Sequence, residues 1–359
     1  MRNVFNFNAG PGMLPEEVLK QVQTDLLDWQ GTGISLLEMG HRSTEFEAIA
    51  KQAELDLRKL LSIPENYKVL FLSGGATSQF AMVPLNLLHG RDNADYIVTG
   101  IWSEKAVAEA KRFCRVNIAA TTTKTPLVTI PPQDQWQLNP QAAYCHYTPN
   151  ETINGIEFDW VPNTGEIALV ADMSSNILSR PIDVSRFGLI YAGAQKNMGP
   201  AGVTVVIVRE DLVPTEIKNA PSMFEYKNHV KEHSLFNTPP VFNWYVAGLV
   251  FAWVRRQGGV TIMGERNRVK AAKLYQVIDE LDFYHNPIDL SCRSQMNVVF
   301  TLKEPQLESQ FLQQAEQRGL VNLKGHRSVG GMRASIYNAM PEAGIDTLVT
   351  FMREFANNV

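Results

Sequence analysis

Ile167-Ala168-Leu169-Val170-Ala171-Asp172 is an apolar run closed by a carboxylate. Leu189-Ile190-Tyr191-Ala192-Gly193-Ala194-Gln195-Lys196 is a second such run that leads to a lysine, and Val203–Val208 follows after Asn197-Met198-Gly199-Pro200-Ala201-Gly202. Short continuous apolar runs bounded by turn residues read as strands buried on both faces, the pattern of a mainly parallel sheet covered by helices. The fold class is therefore α/β. Open sheets of this kind bind ligands outside the carboxyl ends of their strands, where Asp172 and Lys196 both fall. A lysine after a strand is ordinarily a solvated surface residue. One set between two core strands is harder to leave as decoration.

The same alternation extends outward. Strands are expected at Val69–Leu72, Tyr96–Thr99, Val116–Ala119, Ala143–Tyr147, Ile167–Ala171, Leu189–Ala192 and Val203–Val208, seven in all, forming one large sheet. Pro15 opens a helix with Val18, Leu19, Val22 and Leu26 on one face. Thr44-x-x-Glu47 has the capping-box pattern ahead of Ile49, Ala50, Ala53, Leu57 and Leu60, and Pro64 is expected to stop that helix. A further helical stretch covers Ser103–Phe113. A long helix from about Asn243 to Arg256 runs into Gly258-Gly259, a glycine stop signal. The chain divides there into a large domain over residues 1–257, with an N-terminal arm, and a smaller α/β domain over 258–359 with strands at Asn297–Leu302 and Met332–Tyr337.

Asp172 and Lys196 together suit pyridoxal 5'-phosphate (PLP). An aldehyde cofactor needs a lysine amine for its Schiff base, and its pyridine nitrogen is the better electron sink when a carboxylate keeps it protonated. Leu70-Phe71-Leu72-Ser73-Gly74-Gly75-Ala76-Thr77 is a strand, a glycine turn and a helix start, which sets free backbone N–H groups where a phosphate can bind. A Gly-Gly pair after a strand is more often only a tight turn, and this one is neither a Walker A loop nor a G-x-G-x-x-G fingerprint. Its weight comes from Asp172 and Lys196. Trp102, between a strand and a helix, could cover a pyridine ring, although core packing is an equally ordinary role. Thr152, near Gly155, offers a hydroxyl.

Composition narrows the classes. The 359 residues are 45% hydrophobic with a net charge of -4 and no long run of one sign, which excludes the basic footprint of a nucleic-acid binder. Small anions must be held by local basic clusters. Three scattered cysteines, Cys114, Cys145 and Cys292, argue against a disulfide framework or a cysteine-rich metal site and fit a reducing cytoplasm. No metal ligand set is expected. The N-terminus lacks the apolar core of a signal peptide, and the apolar stretch from Trp244 to Val254 is too short to span a membrane.

Several segments in order carry a resemblance: Glu38-Met39-Gly40-His41-Arg42-Ser43, Gly193-Ala194-Gln195-Lys196-Asn197, Phe236-Asn237-Thr238-Pro239-Pro240 and Gly325-His326-Arg327-Ser328-Val329-Gly330-Gly331-Met332-Arg333. With these, essentially the whole chain resembles the phosphoserine aminotransferases, class V members of the fold-type I PLP-dependent transferases. The resemblance implies that Lys196 carries the cofactor as a Schiff base, Asp172 pairs with the pyridine nitrogen, Trp102 stacks on the ring and Thr152 bonds near the ring hydroxyl. Ala76, Thr77 and Gln195 hold the phosphate. Thr77 stands where some relatives have arginine, a difference of little consequence for a contact through its backbone N–H. Asn237 and Thr238 reach the phosphate of the neighbouring subunit, which implies a homodimer with shared sites. Arg333 clamps the α-carboxylate, and His41, Arg42, His326 and Arg327 receive the distal phosphate or side-chain carboxylate.

The implied reaction is ping-pong transamination between L-glutamate and 3-phosphohydroxypyruvate, giving O-phospho-L-serine and 2-oxoglutarate in serine biosynthesis. A related step to 4-phosphohydroxy-L-threonine in pyridoxine biosynthesis is also implied. The rival readings are an alanine–glyoxylate type aminotransferase, a cysteine desulfurase using Cys292, and a noncatalytic PLP-fold binding protein. The first two leave the two His-Arg pairs unexplained; the third lacks any appended helix-turn-helix or basic region.

Overall fold

The computed structural model describes residues 4–124, 127–217 and 220–358. Its large sheet has seven strands: β1 (Tyr67–Leu72), β2 (Asn93–Val98), β3 (Arg115–Thr121), β4 (Tyr144–Tyr147), β5 (Ala168–Asp172), β6 (Leu189–Gly193) and β7 (Thr204–Arg209). Their spatial order is β1-β7-β6-β5-β4-β2-β3. Only β7 runs antiparallel to its neighbours β6 and β1; the other pairs are parallel. Each expected strand is present, with ends shifted by at most three residues.

Both faces of the central strands β4 to β7 are buried, which is why these read as near-continuous apolar runs, whereas the edge strand β3 is largely exposed. Phe71, Leu169, Ala171, Ile190 and Val205 point into one apolar core with α2 (Thr44–Leu61) and α5 (Val241–Arg256). Leu70, Val170, Tyr191 and Val206 point the other way, beneath α3 (Gly75–Leu87) and α4 (Ile101–Ala110).

Helix ends depart from the local signals by one or two residues. The N-terminal helix α1 spans Glu16–Asp25 after Pro15, as expected. The cap of α2 is Ser43, whose hydroxyl accepts from the Phe46 N–H at 3.2 Å, rather than Thr44. That helix ends at Leu61, where Ser62 turns left-handed at φ 49°, before Pro64 is reached. Helix α4 starts two residues earlier than its sequence suggests, because its cap comes from Glu151, 48 positions away along the chain.

Gly258, at φ 98°, breaks α5 from α6 (Gly259–Glu280). Val260 and Met263 of α6 belong to the first core and Ala271, Leu274 and Val277 to a second, so one helix runs through both. The second core is built on a three-stranded antiparallel sheet of β8 (Tyr284–His285), β9 (Asn297–Leu302) and β10 (Met332–Ser335), with α7 (Glu308–Gln317) and α8 (Glu342–Asn358). Phe7 and Met13 of the N-terminal arm join this core, and Phe5–Asn6 pairs in parallel with Leu320–Val321.

Candidate active site

Strands β5 and β6 are in register with Asp172 opposite Tyr191, so the end of β5 delivers the carboxylate and the turn just past β6 delivers Lys196. They open on a cavity of about 190 Å³ whose walls include Ala76, Thr77, Trp102, Thr152, Asp172, Gln195 and Lys196. The elements bringing them together are the α3 N-terminus, the α4 N-terminus, the turn after Asn150–Glu151, and the ends of β5 and β6. Lys196 is 9% exposed. Its Nζ donates to Thr152 Oγ1 at 2.6 Å and lies 5.7 Å from the centre of the Trp102 ring.

Burial sets the electrostatics. Desolvation brings the Lys196 amine down to about 8; the Asp172 and Glu151 charges pull the other way, while Arg333 adds to the lowering. Burial also raises the Asp172 carboxyl, against donors that favour its anion. Ser174 gives Asp172 Oδ1 both its N–H at 3.0 Å and its O–H at 2.6 Å. Asp-x-Ser is an Asx-turn spacing that recurs at Asp183–Ser185 and Asp289–Ser291, and this local signal could have found Ser174 in the sequence.

These residues fit PLP. The first-turn N–H groups of α3 face the cavity after the left-handed Gly74 and Gly75, at φ 99° and 68°, as an anion site requires. Thr148 Oγ1 and Trp102 Nε1, on cavity residues, and Arg333 Nε have no hydrogen-bond partner among the described residues, although each is buried. The two on the cavity wall leave polar groups free for a bound ligand.

Glu151 was not anticipated. It is fully buried, and its carboxyl accepts from Trp102 N–H at 3.0 Å, Ser103 N–H at 2.8 Å and Ser103 O–H at 2.6 Å. It thus caps the helix whose first turn carries Trp102, while its neighbour Thr152 holds Lys196. Burial lifts its pKa to about 7 in spite of these donors. Nothing local in the sequence marks it, since both partners come from a distant strand-to-helix turn.

Lys105 was also missed. Its Nζ lies 4.6 Å over the Trp102 ring, and its charge, with those of Arg333 and Arg327, lowers the pKa of His326 beyond the effect of burial. Lys105, His326, Arg327 and Arg333 therefore share one cationic neighbourhood. His326 Nδ1 is 2.7 Å from Ser328 Oγ in the turn that leads to β10.

Of the expected site residues, His41, Arg42, Asn237, Thr238, His326, Arg327 and Arg333 do not line the Lys196 cavity of their own chain. Arg42 instead borders a groove of about 720 Å³ with Leu55, Phe71, Lys231, His233 and Leu235, just before Asn237. Cys292 is 4% exposed in a short turn, and burial raises its thiol pKa. That is the opposite of the exposed thiolate a desulfurase needs. Among the described residues no cluster of His, Cys, Asp or Glu could hold a metal ion, and no helix is long and apolar enough to cross a membrane.

Comparison with known proteins gives the family. Residues 4–348 match the family model for aminotransferase class-V. A phosphoserine aminotransferase of Hahella chejuensis is 59% identical over 352 residues, covering 98% of each chain. The structure of phosphoserine aminotransferase from Bacillus circulans subsp. alkalophilus is 48% identical and superimposes with a TM-score of 0.96, covering 99% of this chain and 98% of that one. A PLP-bound phosphoserine aminotransferase from Trichomonas vaginalis is 40% identical at a TM-score of 0.94, covering 98% and 99%. The chain belongs to the class-V aminotransferases and, within them, to the phosphoserine aminotransferase family.

Proposed function

We propose that this enzyme transfers the amino group of L-glutamate to 3-phosphohydroxypyruvate, giving O-phospho-L-serine and 2-oxoglutarate. The observation that carries the reading is the buried Lys196–Asp172 pair in a cavity bordered by a cationic neighbourhood. Both substrates carry a carboxylate at the reacting end and a second anion at the other, so two cationic centres are required.

Bound PLP supplies the aldehyde carbon that exchanges amines and a ring that takes up the electron pair left at the substrate Cα. The rest falls to the chain. The α3 N-terminus, with Ala76 and Thr77, and Gln195 hold the phosphate. Asp172 holds the ring N–H, and Trp102 covers one ring face. Lys196 Nζ would act as the base that takes the proton from the substrate Cα and as the acid that gives it back, and an amine brought down to about 8 is poised to do both. Arg333 grips the α-carboxylate through two parallel N–H groups. His326 and Arg327 take the distal anion.

His41, Arg42, Asn237 and Thr238 act, in this reading, from the partner subunit of a homodimer. The support is that Leu55 and Phe236, near the Arg42 groove and Asn237, are 40% and 37% exposed, apolar surface that a second copy would cover. The same cations suit the phosphorylated hydroxy-keto acid that yields 4-phosphohydroxy-L-threonine. The large and small domains divide at residues 257/258, and the free cysteines favour the cytoplasm.

The deciding assay compares amino transfer from glutamate to phosphohydroxypyruvate, pyruvate and glyoxylate. Phosphohydroxypyruvate should be strongly preferred. A preference for either unphosphorylated acceptor would overturn the assignment and leave the PLP site intact.

A further inference from the structure

Among the buried polar groups in the layer between the sheet and helices α3 and α4, one set lies beneath the cavity. Tyr191 on β6 lies opposite Asp172, and His146 on β4 lies opposite Val170 on the far side of β5. Tyr191, His146 and Asp172 are all buried. The Tyr191 hydroxyl sits 2.8 Å from His146 Nε2, and the strand register sets Tyr191 beside Asp172, close enough for the two groups to shift each other's pKa. The ring of Tyr96, on β2, stacks on the imidazole at 4.9 Å and 24°. His146 Nδ1 has no partner among the described residues.

Those contacts decide which way the hydrogen bonds run. Burial pushes the imidazole pKa down to about 3, so the ring is neutral and has one N–H. With that proton on Nδ1, a buried donor would go unpaired. Nε2 would then claim the tyrosine proton, and the Asp172 carboxylate would face the bare phenol oxygen. With the proton on Nε2, the only unpaired atom is the Nδ1 lone pair, and each remaining group has a partner of the right kind.

We infer that His146 donates through Nε2–H to Tyr191, that Tyr191 donates to Asp172, and that Tyr191 is therefore a positioning residue which keeps Asp172 an acceptor for the cofactor's ring nitrogen. Asp172 then receives three protons from the chain, two from Ser174 and one from Tyr191. All of them stabilise the anion, and their directions orient the carboxylate toward the cavity. His146 has no contact with the reacting atoms and acts only by fixing the tyrosine's rotor. The hydrogen-bond direction rests on the chain alone; what Asp172 holds rests on the PLP reading.

Nitrogen NMR of the histidine-labelled holoenzyme reads the first point directly. His146 should show the Nε2–H tautomer, and an Nδ1–H tautomer or an imidazolium would overturn the inference. The second point is read with ring-labelled 15N-PLP bound to Tyr191→Phe. Its pyridine nitrogen should move from the protonated toward the neutral position, and cofactor dissociation should rise about 10- to 100-fold for a lost hydrogen bond to a charge. KM for substrates should change little while kcat falls. His146→Gln, which can still offer an N–H to the tyrosine, should lie nearer the wild type than His146→Phe. An unmoved ring nitrogen and unchanged affinity in Tyr191→Phe would refute the positioning role. If instead the wild-type protein failed to take up PLP at all, the transaminase reading would fall, while the His146 tautomer would still decide the hydrogen-bond direction.

Discussion

Replacing Glu151 with alanine removes one buried carboxylate and strands the donors it caps. Of these, the Ser103 hydroxyl keeps a second acceptor, the Gly100 carbonyl at 2.8 Å, whereas the backbone N–H groups of Trp102 and Ser103 have lost theirs. An orphaned buried donor costs about 1–3 kcal/mol, so the pair should cost about 2–6 kcal/mol. Unfolding entropy of roughly 2.1 cal/mol/K per residue converts this, for 359 residues, into a lowering of Tm by about 3–8 °C. Because Trp102 sits in the freed turn, PLP affinity should fall as well. Glu151→Gln keeps one acceptor and should lose less on both counts. The assay is a thermal melt of apoprotein and holoenzyme, followed by PLP titration through tryptophan quenching. A Glu151→Ala protein that melts within 1 °C of the wild type and binds PLP equally well would refute the capping role.

Other outcomes can be checked independently. The Lys196 pKa is about 8 in the fold against the usual 10.5, so in the apoprotein its stability contribution, complete above 10.5, should be lost as pH falls through 8. Correspondingly, the rate of PLP capture should climb to a plateau above about pH 8, and a midpoint near 10 would contradict the burial argument. Arg327→Ala should lower kcat/KM for phosphohydroxypyruvate about 10- to 150-fold while leaving alanine, which has no distal anion, a comparably poor donor in both proteins. Asn237→Ala should weaken PLP retention without disturbing Lys196, and cofactor retention should track dimer content by light scattering. A monomer that keeps PLP with full activity would exclude the shared site.

Much of this molecule is written locally. The central strands of the large sheet are legible because they are buried on both faces and must be nearly continuously apolar, and Asp172 and Lys196 are legible because those strands place both at their carboxyl ends. The Gly74-Gly75 turn and the arginine in β10 are readable for the same reason, since backbone conformation and local charge leave a trace within a few residues. What the sequence could not specify is which distant polar groups complete each local need. Glu151 caps a helix 48 positions away, and α6 runs through both cores although glycines announce a break before it. Tyr191 and His146 look like ordinary strand residues until the sheet order sets β4, β5 and β6 side by side. A buried hydrogen bond depends on the positions of two groups, and only the folded chain brings them within reach of each other.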